Sequence, residues 1–245
     1  MHQLGALAPL CWNLGPTIAP LDAFQRAGSQ GRNTSFLHSK AHILDALEIQ
    51  APALVNMRTE VFWHRGCSVL DVGAGSGEVG YYLHRKFGIV VKALDVHKPE
   101  SSKYWRSVAG THSASFLPIQ LFSGSSLPML NASFDLVMFN SVLHHAATKA
   151  AALIREAARV ARRFIVVLED LHIPGHRAIE HRNLVHDPQG IFRTLSEWYL
   201  MFRSAPGVRD VHHEMLCQHL NDTQLPCFSF GVSHRIFYAL FVIEL

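Results

Sequence analysis

Charge is scarce in this chain: only 17% of its 245 residues are Asp, Glu, Lys or Arg, while 49% are hydrophobic. That balance excludes a disordered chain, and 16 Gly with 11 Pro exclude collagen-like and low-complexity classes. Cysteine is equally sparse. Cys11, Cys67, Cys217 and Cys227 form no C-x-x-C pair, which removes a zinc knuckle and leaves a reduced, cytoplasmic protein as the expectation. Long apolar runs are missing as well. The stretch Ile236 to Ile243 holds eight residues between Arg235 and Glu244, against the roughly 20 that a spanning helix requires, so no membrane partner is expected. Lys and Arg number 22 against 19 acids, a net charge of +3, and they are scattered rather than gathered in a stripe. Nucleic acid is therefore not an expected partner. Pro9, Gly15, Pro16 and Pro20 interrupt the apolar stretch that a secretory signal needs, so none is expected, with Arg26 and Arg32 leaving organelle targeting as the alternative. Sequons at Asn33, Asn131 and Asn221 are discounted in a cytosolic chain.

What is present is alternation. From about residue 68, short apolar runs at Ser68 to Val72, Ile89 to Val96, Leu117 to Phe122, Phe134 to Asn140, Phe164 to Glu169, Val208 to Cys217 and His234 to Leu245 read as strands. Between them, Glu78 to Phe87 and Lys149 to Arg162 repeat apolar residues at helical spacing. The expectation is an α/β, Rossmann-like, seven-stranded and mostly parallel sheet with helices on both faces and the last strand antiparallel. Residues 1–31 read as an irregular N-terminal arm and 32–245 as a single domain. A helix capped by Asn33 or Thr34 carries Phe36, Leu37, Ile43, Leu44 and Leu47 ahead of the sheet. An insert at about 170–207 holds histidines 172, 176, 181 and 186 and an aromatic helix near Trp198, and it is expected to form the substrate side.

The strongest local signal is Val69-Leu-Asp-Val-Gly-Ala-Gly-Ser-Gly-Glu-Val-Gly80, an apolar strand entering a glycine turn and then a helix. Gly73, Gly75 and Gly77 allow positive φ and a close approach of backbone to ligand, and the first helical N–H groups face the same spot. Asp95, 22 residues after Gly73, closes the second candidate strand, where a carboxylate can take both hydroxyls of a ribose. The segment Gly75-Ser-Gly-Glu-Val-Gly80 also fits G-x-G-x-x-G, so a nicotinamide enzyme stays open. Asp71 weighs against it, because an acid two residues before the first glycine suits an amino group and repels a pyrophosphate.

With Leu127-Pro128, Ser133-Phe134-Asp135 and Leu143-His144-His145 following in order, the chain resembles the class I methyltransferases that use S-adenosylmethionine, over roughly residues 68 to 170. The resemblance implies that Asp71, Gly73, Ala74, Gly75 and Gly77 surround the methionine part of the cofactor, that Asp95 holds the ribose and that Val96 packs on adenine. Ser123 stands where the family usually has an acid for the adenine amino group, which shifts that role toward backbone near Gly124. Asn140, ending the fourth strand, completes the expected cofactor set. The glycine turn that commonly precedes the fifth strand is absent from Arg159-Val-Ala-Arg-Arg163. No N/D-P-P-Y/F tetrapeptide of amino-group methylases occurs.

On the acceptor side, His145 and His186 are the expected catalytic residues, either of which could remove a proton from a small-molecule acceptor. Aromatics Phe192, Trp198, Tyr199 and Phe202 are expected to close over the transferred methyl. Glu169 and Asp170 read as strand-end caps facing solvent, with a divalent ion there as the alternative, and no metal is expected at the histidines, since Pro174 and Gly175 break the helical spacing of His172 and His176. The expected activity is methyl transfer from S-adenosylmethionine to a small molecule. An NAD(P)-dependent oxidoreductase and a non-catalytic methyltransferase-fold partner protein are the alternatives.

Overall fold

The computed structural model describes residues 63–75, 77–97, 117–177, 179–180, 183, 187–219 and 235–245. The expected arm 1–31, the helix around residues 36–47, His181 and His186 lie outside them. In chain order the described elements are β1 (Ser68–Val72), α1 (Glu78–Phe87), β2 (Val90–Asp95), β3 (Ile119–Leu121), β4 (Phe134–Asn140), α2 (Ala150–Val160), β5 (Ala161–Asp170), α3 (Leu195–Arg203), β6 (Asp210–His219) and β7 (Arg235–Glu244).

All seven strands join one sheet in the order β3-β2-β1-β4-β5-β7-β6. Strands β1 to β5 pair in parallel. Strand β7 runs antiparallel to both β5 and β6, so it alone is reversed, as the sequence led us to expect. Side chains alternate across the pleat and split the core into two layers. Leu70, Val72, Val137, Phe139, Ile165, Val167, Phe241 and Ile243 face α2 and α3, where Ile154, Ala157, Trp198 and Phe202 meet them. Val69, Val91, Leu136, Met138, Val166 and Val242 face the other way, onto Tyr81 and Leu83 of α1 and onto Trp63.

Most boundaries fall within two residues of expectation; two elements differ more. Helix α2 stops at Val160, and β5 begins at once with Ala161, Arg162 and Arg163 in strand conformation. The arginines are exposed there, and Arg162 donates to the carbonyl of Ala132 and to Asp135 of β4, contacts that favour strand over a last helical turn. Strand β3 shrinks to three residues at the sheet edge. Helix α3 keeps a capping box, with Thr194 Oγ1 accepting from the Glu197 N–H and the Glu197 carboxylate accepting from the Thr194 N–H.

Candidate functional site

The parallel strands aim their carboxyl ends at one edge of the sheet, and the described candidates for the cofactor, with His145, lie on that edge. The loop after β1 turns through Gly73, Gly75 and Gly77 with φ of 76°, 60° and 81°, the left-handed values their lack of Cβ permits. Gly73 and Ala74 donate N–H bonds to the Leu94 carbonyl at 2.8 and 2.9 Å, which draws the loop over the end of β2. A Cβ on Gly73 would fall 2.5 Å from the Val142 side chain, so the loop can approach the segment after β4 only as glycine. Gly80, one turn into α1, leaves room for strand packing and for Asp71: a Cβ there would sit 2.8 Å from Val91 and 3.0 Å from Asp71 Oδ2.

Asp71 is buried at 2% exposure beneath this loop, and its Oδ2 has no hydrogen-bond partner. Burial, reinforced by the negative charge of Asp95 and only partly offset by the Gly80 N–H, pushes its carboxyl up to about 7. Such an oxygen is costly unless a donor arrives to meet it. Asp95 shapes the loop instead. Its Oδ2 accepts from Gly75 N–H at 2.8 Å and its Oδ1 from His97 N–H at 2.9 Å, and each oxygen keeps a second lone pair. Beyond it, Val96 is 46% exposed. Phe122 N–H donates to the Asp95 carbonyl, which sets the end of β3 beside that of β2, and Gly124 is tucked against Val96. Ser123 is exposed, its Oγ 3.2 Å from Ser125 Oγ. The structure thus brings Asp71, Gly73, Ala74, Gly75, Gly77, Asp95, Val96, Ser123 and Gly124 to one side of the edge.

Asn140 ends β4 at the centre, and the chain then bends through Ser141 at φ 53° and Ala147 at φ 50°, left-handed values uncommon without glycine. Glu169 holds this bend. Fully buried at the end of β5, it accepts Val142 N–H and Leu143 N–H on Oε1 and the His144 ring through Nδ1 on Oε2 at 2.7 Å. The expectation that Glu169 and Asp170 face solvent is overturned: both are buried, at 0% and 6% exposure. For Glu169 the reason is the set of donors delivered by the loop 25 to 27 residues earlier.

His144 is buried, stacked on Phe192 at 4.6 Å, with its ring centroid 4.0 Å from that of His145. Burial opposes the charged ring, but the hydrogen bond and charge of Glu169 outweigh it and raise its pKa. His145 points outward, its side chain 58% exposed, and its Nδ1 lies 2.6 Å from Asp187 Oδ2. Asp187 Oδ1 accepts Gln189 N–H. Burial opposes its ionisation, but the bonds from His145 and Gln189 hold its carboxyl below the usual range. The 187–194 loop is fastened to the bend by Ile191 N–H on the His144 carbonyl and by Arg193 on the Ala147 carbonyl.

The insert's aromatics divide. Phe192 and the half-buried Tyr199 stay near the surface, but Trp198 and Phe202 are fully buried in the layer with Ile154 and Phe241, so they cannot close over a ligand. Their four-residue spacing on α3 puts them on the face that packs against the sheet.

Residues 70–164 match the family model described as a methyltransferase domain. Solved structures agree on the fold. An S-adenosylmethionine-dependent methyltransferase of Methanosarcina mazei is 15% identical over 76% of this chain and 95% of its own, with a TM-score of 0.53. A Haloferax volcanii protein solved with the Trm112 methyltransferase activator is 18% identical over 83% and 96%, at 0.54. Phosphoethanolamine N-methyltransferase 2 of Haemonchus contortus, solved with phosphomonomethylethanolamine and S-adenosylhomocysteine, is 13% identical over 74% of this chain and 49% of its own, at 0.52. No curated protein sequence matches the chain. The domain match and the shared Rossmann-like fold support methyl transfer. Among the described residues, no helix is long and apolar enough to cross a membrane.

Proposed function

We propose that the protein is an S-adenosylmethionine-dependent methyltransferase acting on a small-molecule acceptor. The observation that carries the reading is the unpartnered, buried Oδ2 of Asp71 under a loop of three left-handed glycines, because it asks for a cationic donor. An ammonium such as that of the cofactor's methionine part meets it, whereas a pyrophosphate would face an acid. The strand order adds to this. Dinucleotide-binding sheets run 3-2-1-4-5-6, and here β7 is inserted antiparallel between β5 and β6.

When bound, the cofactor supplies the electrophilic sulfonium methyl. Asp71 would hold its ammonium, Asp95 would accept ribose hydroxyls on the lone pairs that Gly75 and His97 leave free, and the exposed face of Val96 would cover adenine, with backbone near Gly124 replacing the missing acid. Asn140 lies between this half and the loop after β4. His145 and Asp187 form the acceptor end, where an imidazole backed by a carboxylate favours loss of the acceptor's proton. The rest of catalysis is placement: an acceptor atom held about 3 Å from the methyl in a site closed to water. We extend the reading to one domain over 32–245, with 170–207 on the acceptor side and His186 beside Asp187 in that loop, in a protein of the cytoplasm.

Calorimetry with S-adenosylhomocysteine and with NAD tests the reading directly. Micromolar binding of the first alone is expected; binding of NAD alone refutes it. His145→Ala should cut turnover while homocysteine-cofactor affinity stays within about threefold, a split that a non-catalytic partner protein would not show.

A further inference from the structure

We propose that His144, His145 and Asp187 bind one divalent transition-metal ion at the acceptor end of the sheet, and that zinc is the ion whose preferences the donors match. Each of the three side chains offers one ligand atom, and these atoms all lie within 4.8 Å of one another. Tetrahedral zinc with bonds of about 2.0–2.1 Å needs its ligand atoms about 3.4 Å apart, so no pair has to close by more than about 1.4 Å, and His145 Nδ1 and Asp187 Oδ2, now 2.6 Å apart, would open by about 0.8 Å if both were ligand atoms. Rotation of His145 and Asp187 supplies that, since their side chains are 58% and 17% exposed. Two imidazoles and one carboxylate are a zinc-type set, and three protein ligands leave the fourth position open.

The arrangement behind the donors points the same way. Glu169 Oε2 takes the N–H of His144 Nδ1, which leaves the lone pair of His144 on Nε2. A buried carboxylate fixing tautomer and ring angle in this manner is what metal-bound histidines use. Asp187 is steadied by Gln189 N–H, and the loop carrying it is fastened to the His144 backbone through Ile191. Hydrogen bonds within a merely structural loop do not require two neighbouring histidines and an acid to converge on one point beside the open end of β4. The ion's role rests on the acceptor placement proposed above: in the fourth position it would hold the acceptor atom and lower its pKa, taking over the help that an unligated His145 would give, with the proton leaving to bulk water as the acceptor binds and before the site closes over the methyl. The binding itself stands without that role.

The test uses the full chain, stripped with EDTA and titrated with cobalt(II) while its visible d–d absorption is followed, then competed with zinc. One cobalt per chain with a tetrahedral spectrum is expected, displaced by one zinc. The chain has 17 histidines, so site variants must separate this ion from surface binding. His145→Ala and Asp187→Asn, both at exposed or partly exposed positions, should each weaken binding at least about tenfold, as should Glu169→Gln if it folds. No absorption saturating at one equivalent, or a band that survives both His145→Ala and Asp187→Asn, overturns the proposal. Calorimetry with S-adenosylhomocysteine on the same samples keeps the two readings apart. A wild-type protein that binds cobalt but no homocysteine cofactor refutes methyl transfer and leaves the metal site standing; the reverse outcome refutes the metal site alone.

Discussion

Replacing Asp71 by Asn removes the fully buried ionisable group under the glycine loop and nearly nothing of its shape. In the folded protein this carboxyl sits at about 7, against an ordinary value of 3.8, because it is buried and faces Asp95. At 1.36 kcal/mol per pH unit, the gap is worth about 4 kcal/mol. Its sign follows from a raised folded value: between about pH 4 and pH 7 the folded protein keeps a proton that the unfolded chain has released. The stability present below pH 4 is therefore lost as pH rises to about 7, and it stays lost above. Asn has no such loss. Urea unfolding of both proteins from pH 4.5 to 8 should show the variant gaining on the wild type by about 3 kcal/mol across that window, the first kcal/mol or so being lost already below pH 4.5. Parallel curves would mean that Asp71 is not ionising where it is buried. Ligand binding should move the opposite way. An ammonium needs the ionised form, so wild-type affinity for S-adenosylhomocysteine falls about tenfold per pH unit below 7. It falls again above about 8 as the ligand's own α-amino group loses its proton. The variant binds weakly with a flat acid limb, and an Asn variant that matches the wild type at pH 7.5 would remove Asp71 from the cofactor site.

Gly75→Val opposes a φ of 60° and puts a branched side chain into the loop, so S-adenosylhomocysteine binding should vanish in calorimetry from a protein whose circular dichroism is unchanged. Asp95→Ala should cost about 1–3 kcal/mol of cofactor affinity, and Asp95→Asn should shift the acid limb of binding to lower pH by relieving Asp71 of a neighbouring charge; an unmoved limb would contradict the coupling. Trp198→Ala, at a fully buried position, should destabilise by about 3–5 kcal/mol in urea while the folded fraction binds cofactor normally, and a loss below 1 kcal/mol would mean the helix is not packed as described. Glu156, held down to about 2 first by its bond from Arg159, anchors the β3–β4 loop through Leu127 N–H, so Glu156→Ala should cost about 1–2 kcal/mol at pH 7 and progressively less as pH falls from about 4.5 towards 2, where half of the wild type has lost the same charge.

The two halves of the edge differed in how much of them the chain announces. The strands Ser68–Val72 and Phe134–Asn140 and the helix Glu78–Phe87 have the limits that periodicity and glycine punctuation suggest, because the forces that set them act within a few residues. The loop after β1 is of the same kind, its conformation dictated by three glycines in a row of five. The acceptor end is built otherwise. Glu169 is a single acid closing an apolar strand, and the groups that justify its burial are Val142, Leu143 and His144, a whole crossover away. Nothing local says whether such an acid faces water or a ring of donors. His144 and His145 are adjacent in sequence, yet one is buried against Phe192 and the other reaches out to Asp187, a sorting made only by the bend that Glu169 holds.

Trp198 and Phe202 show the same limit from the opposite side. Their helix is legible, including its cap at Thr194, but an aromatic stripe at four-residue spacing is equally suited to a lid and to a core, and the choice depends on what lies opposite. Here Phe241 of β7 and Ile154 of α2 lie opposite, and apolar area buried against them stabilises the fold where a lid would have to give that area up on every opening. The outcome reassigns the work at the acceptor end. On the proposed function, aromatic closure is left to Phe192 alone among the fully described candidates that touch the histidines, and the polar cluster of His144, His145 and Asp187 would be the part of the site that distinguishes one acceptor from another.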